Sequence, residues 1–247
     1  MIVQACLNGN RDAAFHPGVP VTPEAIVADA VEAIAAGAGE LHIHVRDESG
    51  RETLDPSVVD RTIAALREAC PGTLIGISTG EWIERDDDRR RDCLRRIAVL
   101  PDYASVNFIE ADCAAVVEVL GARGIGVEAG IWTVADARRC RALGLAGAAL
   151  RLLIEINHQD LNTALAELNA IVAELRDYPV RKPVLMHGLD ATMWPLVDVA
   201  FARGWSTRIG LEDGRQLPDG SLAPSNAALV AAALERRAAA PRRKGAA

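Results

Sequence analysis

The chain has 247 residues, half of them hydrophobic, and a formal net charge of −7. That length suits one large domain, and the acidic balance argues against a general nucleic-acid binder, because phosphate contacts need a positive surface. No run approaches the ~20 apolar residues of a membrane span, and MIVQACLNGN lacks the basic start and long apolar stretch of a secretory signal, so a cytoplasmic protein is expected.

A short β-branched run followed by an amphipathic helix recurs along the chain. IVQACL (Ile2 to Leu7) reads as the first strand; Thr22 as N-cap and Pro23 at the first helical position open the first helix, which Gly37 stops. ELHIHVR is the second strand, followed by a helix from Asp55–Pro56 through Cys70. TLIGIST (Thr73 to Thr79) precedes a charged helix ending near Leu100, and YASVNF (Tyr103 to Phe108) one around Ala114 to Leu120. GIGVE (Gly124 to Glu128) precedes a helix from about Val134 to Leu143, and AALRLLIE (Ala148 to Glu155) one from Leu161 to Leu175. PVLMHG (Pro183 to Gly188) leads to Thr192–Arg203, and TRIGLE (Thr207 to Glu212) to the last helix, Asn226 to Arg237.

Eight strand–helix units with no composition break predict an α/β fold, a closed (β/α)8 TIM barrel, over residues 1–240 as one domain. No GxGxxG follows the first strand, which weakens a dinucleotide fold. PRRKGAA (241–247) reads as a disordered basic tail. Cys6, Cys70, Cys93, Cys113 and Cys140 are scattered, never in a CxxC spacing, and read as buried free thiols.

Barrel active sites lie at the C-terminal ends of the strands, so the residues that end each strand carry the functional reading. They are Asn8–Gly9–Asn10, His42 and His44, Ser78–Thr79–Gly80, Asn107 with Glu110 just beyond, Glu128, Glu155, His187, and the run Arg208 to Asp213. Burying so many polar ends without purpose would be costly. Residues i and i+2 of a strand share a face, so His42 and His44 point one way while Leu41, Ile43 and Val45 point the other. Two neutral imidazoles can grip a divalent cation such as zinc, with a third ligand from another strand end. Glu212 is the first candidate and His187 the second. Arg208 and Asp213 read either as a structural ion pair or as a dyad in which Asp213 takes a proton and Arg208 binds an anionic substrate. Ser78, Thr79 and Gly80 suit a substrate carboxylate or simply a strand-to-loop turn. Asn8, Asn10 and Asn107 are further substrate-binding candidates. His16 and His158 fall in or beside loops as surface or supporting residues, and Glu81, Glu110 and Glu155 carry no assigned role.

Taken together, NGNRDAAFHPGVPVTPE, AGAGELHIHVRDESGRETLD, GISTG, SVNF, GVEAG and TRIGLEDG resemble the β-keto acid cleavage enzyme family, which includes the 3-keto-5-aminohexanoate cleavage enzymes. The resemblance runs from Ala5 to about Ala232, with HIHVRD and RIGLED its most specific pair. It implies a zinc enzyme that converts a β-keto acid and acetyl-CoA to an acyl-CoA and acetoacetate. By the same resemblance His42, His44 and Glu212 are zinc ligands, Arg208 and Asp213 the proton-abstracting dyad, Ser78 a carboxylate contact and Glu128 a catalytic glutamate near the reacting centre. The chain is short for the family, and a homo-oligomer, dimer or tetramer, is expected to complete the site. Where the aminohexanoate enzymes hold the substrate amine with a glutamate, this chain has LNGNR, with Asn10 or Arg11 near that position, which favours a neutral or anionic substrate. Glu81 stands where a second glycine is common in the family. Two other readings compete: a metal-dependent barrel hydrolase or lyase acting on a small carboxylate, whose HxH pair usually sits on the first strand, and a non-catalytic barrel that binds metal or carboxylate.

Overall fold

A computed structural model describes residues 1–176 and 182–239. Eight strands alternate with eight helices: β1 Val3–Cys6, α1 Pro23–Ala35, β2 Glu40–Ile43, α2 Pro56–Ala69, β3 Leu74–Ser78, α3 Asp87–Arg96, β4 Tyr103–Asn107 and α4 Cys113–Ala122. The second half follows with β5 Gly126–Ile131, α5 Val134–Ala142, β6 Arg151–Ile156, α6 Leu161–Arg176, β7 Val184–Gly188, α7 Met193–Arg203, β8 Thr207–Ile209 and α8 Asn226–Ala239. Every strand pair is parallel, in the order β7-β6-β5-β4-β3-β2-β1-β8. The remaining gap is bridged just before β8, where Leu185 pairs with Ser206 and Met186 N donates to Ser206 O at 3.0 Å. This is the (β/α)8 barrel that the repeated units predict. The basic tail 241–247 lies outside the described residues.

The helices start where the sequence supplies caps. Thr22 accepts from Ala25 N at 3.2 Å with Pro23 at the first turn, and Asp55 accepts from Ser57 N at 2.9 Å. Thr133 and Asp136 form a reciprocal capping box at the head of α5. Two layers of side chains result. Alternate residues of the strands, Val3 and Ala5, Leu41 and Ile43, Ile75 and Ile77, Ala104 and Val106, pack outward in one apolar core under the helices. The alternate set points into the barrel and is mostly polar: Gln4, Glu40, His42, Ser78, Tyr103, Asn107, Glu128, Arg151, His187 and Arg208 are all buried there. Gly76 leaves room in that interior, since a Cβ would lie 1.9 Å from the Tyr103 ring.

Three strands end three residues away from where their sequence suggests. β2 stops at Ile43 rather than Arg46, because the chain leaves the barrel in a hairpin bridged by Arg46 and Glu52. β8 stops at Ile209 because Gly210 accepts from both Asp213 N (2.9 Å) and Gly214 N (3.1 Å) in a tight turn. β5 starts at Gly126 and runs on to Ile131, so Glu128 sits inside the strand and not at its end. The charged helix α3 closes at Arg96, short of Leu100, and short 3-10 turns at Leu145–Gly147 and Asp190–Thr192 were not anticipated. The five cysteines are buried and free. No helix among the described residues is long and apolar enough to cross a membrane.

Candidate active site

The strand ends enclose a cavity of about 240 Å³. At its edge the buried Asn8 amide clips the end of β2: Asn8 Nδ2 donates to His44 O and His44 N donates to Asn8 Oδ1, each at 2.9 Å. That clip holds His44 beside His42, with ring centroids 5.4 Å apart and planes at 75°. Glu212 reaches in from the turn after β8, passing so close to Gly9 (φ +53°) that a Cβ there would lie 2.4 Å from its Cγ. His42 Nε2 lies 3.9 Å from Glu212 Oε2, and His44 Nε2 3.5 Å from Glu212 Oε1. The donor atoms of all three residues fall within 4.8 Å of one another.

The chemistry of these groups fits a divalent cation. Burial pushes His42 down to about 3, further than the Glu212 carboxylate can raise it, so its ring is neutral and its lone pair free. Burial also acts on His44, but the carboxylates of Glu212 and Glu52 outweigh it and bring that ring up to about 9. A cation would take the place of the His44 proton. Burial opposes the charge on Glu212, yet Arg208 and then His44 hold it well below the usual carboxylate range. Its Oε2 is buried without a hydrogen-bond partner. Two imidazole nitrogens and one carboxylate oxygen are a donor set suited to zinc, leaving a coordination position open for a substrate atom.

Beside this trio, Arg208 donates to Glu212 Oε1 at 2.5 Å and to Asp213 Oδ1 from Nη2 (2.8 Å) and Nε (3.2 Å). His187 Nδ1 lies 3.2 Å from the same Asp213 oxygen, and its Nε2 meets Glu155 Oε2 at 3.1 Å. Burial alone would lower His187, but Asp213 and Glu155 outweigh it and raise its pKa. His187 is thus held between two carboxylates and lies outside the donor set. Asp213 is fully buried behind the cavity wall, with Oδ2 unpartnered, while Arg208 lines the cavity itself.

The remaining sequence candidates divide. Ser78, Asn107, Asn10 and Arg11 line the cavity. Thr79 does not: its hydroxyl donates to Ser105 O at 2.7 Å. Gly80 provides space, because a Cβ there would strike the Trp82 ring at 2.4 Å. Asn8 spends its amide on His44 and on Pro20 O (3.1 Å). Glu110, buried at 3 % exposure, accepts from Asn107 Nδ2 at 2.8 Å and from Glu81 N at 3.2 Å, tying the loop after β3 to the end of β4. Arg11 is anchored to Asp190 (2.9 Å) and to Glu212 O (3.3 Å). His16 is buried and locks its loop, pairing with Ala223 O and Gly18 N.

Glu128 belongs to a layer below the cavity. Arg151 donates to Glu128 Oε1 at 2.6 Å and pairs with Glu40, while Gln4 Nε2 donates to Glu128 (3.0 Å), to Tyr103 Oη (2.9 Å) and to Glu40 (3.3 Å). Its other oxygen, Oε2, lies 4.0 Å from His42 Nδ1, and both atoms lack partners. The carboxylate therefore underlies the metal-facing histidine, and the interlocked layer forms a floor across the barrel.

Sequence reasoning missed Glu52 and Trp82. Glu52 Oε1 pairs with His44 Nδ1, and Trp82 Nε1 donates to both Glu52 oxygens at 3.2 Å while its ring lies over His44. A carboxylate on the far nitrogen of a ligating histidine fixes its tautomer and orientation. An acid eight residues beyond an HxH pair, after a turn-forming DESG, is the signal that could have found it.

The family described as beta-keto acid cleavage enzyme matches residues 1–243. A 3-keto-5-aminohexanoate cleavage enzyme of Acetoanaerobium sticklandii is 25% identical over 245 residues, covering 93% of this chain and 89% of that one. A 3-oxoadipate:acetyl-CoA acetyltransferase of Cupriavidus necator is 27% identical over 231 residues, covering 87% and 80%. Among solved structures, 3-dehydroquinate dehydratase from Aquifex aeolicus overlays with a TM-score of 0.54 at 12% identity, covering 96% of this chain and 97% of that one, a likeness of fold.

Proposed function

The chain belongs to the beta-keto acid cleavage enzyme family, and on that premise we propose that it is a metal-dependent, zinc-using acyltransferase converting a β-keto acid and acetyl-CoA to an acyl-CoA and acetoacetate. One observation carries the reading: three metal-suited donors within 4.8 Å share a cavity with Arg208 and Ser78, and Asp213 stands directly behind.

His42, His44 and Glu212 would hold the cation. Bound there, it supplies Lewis-acid polarisation of the substrate's keto oxygen. Glu52 and Glu128 underpin the two histidines from behind and act as positioning residues. Ser78 and Arg208 receive the substrate carboxylate, orienting the acidic carbon between the two carbonyls. Asp213, with Oδ1 occupied and Oδ2 free, takes the proton from that carbon. The carbanion attacks the acetyl carbonyl and expels the thiolate of coenzyme A. The thiolate then attacks the original keto carbon, the carbon–carbon bond breaks, acyl-CoA forms, and the acetoacetate carbanion recovers the proton. No enzyme nucleophile is needed, in keeping with five buried cysteines, none of which lines the cavity.

The test uses metal-loaded protein, a panel of 3-oxo acids and acetyl-labelled acetyl-CoA. Labelled acetoacetate and a matching acyl-CoA are expected. Turnover that needs no acetyl-CoA would instead mark a hydrolase or lyase, and metal uptake with no product from any acid would mark a binding protein. Asp213→Asn should retain metal yet lose deuterium wash-in at the substrate α-carbon; unchanged exchange removes it from the base role.

A further inference from the structure

Opposite the metal-suited trio, one quadrant of the cavity is built by the ends of β5 and β6 and the loop after β7: Trp132, Leu153, Glu155, Asn157 and Leu189. Its charged group is spoken for. Glu155 is bound by His187, and although burial opposes ionisation, His187 and Arg208 hold its pKa below the ordinary value, so it stays ionised. The indole nitrogen of Trp132 is the buried donor that is not. Nε1 is buried and has no hydrogen-bond partner. A buried N–H left without an acceptor is costly, and an acceptor brought by a ligand removes that cost.

Resting on the acyl-transfer reading above, we infer that this quadrant receives the tail of the 3-oxo acid beyond its keto group, and that Trp132 Nε1 donates to an uncharged oxygen acceptor on that tail, a hydroxyl or carbonyl. The neighbours decide against charge. A tail carboxylate would face ionised Glu155 with no free cation among the described residues of the quadrant, since Arg11 across the mouth is paired with Asp190 and Glu212 O. A tail ammonium would have to share the Glu155 carboxylate with His187, whose Nε2 already lies 3.1 Å from it. Leu153 and Leu189 accept the methylenes that carry the oxygen. A donor that is otherwise unsatisfied discriminates against ligands lacking its partner more strongly than an apolar wall can.

The experiment compares 3-oxo acids of one chain length: 3-oxohexanoate, its 5-hydroxy and 6-hydroxy derivatives, 3-oxoadipate and 3-keto-5-aminohexanoate, each with acetyl-CoA and the metal-loaded protein. One hydroxy acid should exceed 3-oxohexanoate in kcat/KM by about tenfold, with both charged acids below. In Trp132→Phe, which keeps the ring and removes the N–H, the ratio of hydroxy acid to alkyl acid should fall to about one, through KM. Preference for a charged tail, an unchanged ratio in the variant, or a rise in KM for acetyl-CoA with every acid would overturn the inference, the last assigning the indole to the coenzyme. Calorimetric binding of the same acids without acetyl-CoA separates the two failures. Selective binding of a hydroxy acid, lost in Trp132→Phe, with no acetoacetate formed, would sink the acyl-transfer reading alone.

Discussion

Replacing Asp29 with asparagine should stabilise the protein, and by more at neutral pH than in acid. Asp29 lies on α1 and accepts from Asn226 Nδ2 at 2.6 Å. The same Asn226 amide donates to Leu7 O (2.8 Å) and accepts from Leu211 N (2.7 Å), so it joins the ends of β1 and β8 to α1 and α8. Burial is the main force that raises the Asp29 carboxyl from 3.8 to about 7, against the Asn226 hydrogen bond and with a smaller push from Glu32. A carboxyl that ionises more readily when unfolded draws the chain toward the unfolded state. Native stability is therefore undiminished below about pH 4, falls as the pH rises through that interval, and is level above about pH 7. At about 1.4 kcal/mol per pH unit the ceiling is ~4 kcal/mol; water at the partly open edge of the carboxyl reduces that to ~2 kcal/mol. The asparagine oxygen can accept the same hydrogen bond without the charge. Urea denaturation at pH 4, 5.5, 7 and 9 reads the effect directly. The two proteins should coincide at pH 4, and at ~3 kcal/mol/M the variant's midpoint should lie about 0.7 M higher at pH 7 and pH 9. An offset independent of pH, or a variant that is weaker at pH 7, refutes the reasoning.

Two other substitutions probe the frame of the site. Glu52→Gln removes the charge behind His44 and should weaken metal binding about 10- to 100-fold, measured by competition with a chromogenic chelator; wild-type affinity would show that the ring is oriented by its packing alone. Gly210→Ala puts a Cβ 1.9 Å from the Cys6 carbonyl oxygen, backbone against backbone. It should cost about 3 kcal/mol and displace Glu212, seen as a lower Tm with reduced metal content. A variant with full metal and unchanged Tm would mean that this turn shifts freely.

The barrel was legible because its cues are local and repeated. Caps such as Thr22 and Asp55 sit beside the helices they start, and outward strand residues such as Leu41 and Ile43 announce the core by alternation. The metal-suited trio was legible for a related reason: an HxH pair shares a face by strand geometry alone, and an acid three residues past the end of β8 falls on the same rim. Glu128 misled because GVEAGI carries glycine and alanine, weak strand formers, where the strand in fact continues. The rest of its layer, Gln4, Glu40, Tyr103 and Arg151, comes from four other strands, and only closure of the barrel brings it together. Glu52 escaped because its approach to His44 depends on a hairpin outside the barrel pattern. Asn8 looked like a ligand contact because a polar strand end is ambiguous until its hydrogen bonds are known.

The layer of Gln4, Glu40, Tyr103, Glu128 and Arg151 also governs traffic. With the barrel plugged from beneath, the described residues leave the cavity open at its mouth, and under the proposed reaction both reactants queue there. The small acid has to seat first, since a thioester already in the doorway would bar its way, and the acyl-CoA has to back out before acetoacetate can follow. Excess acetyl-CoA would then slow turnover by arriving early.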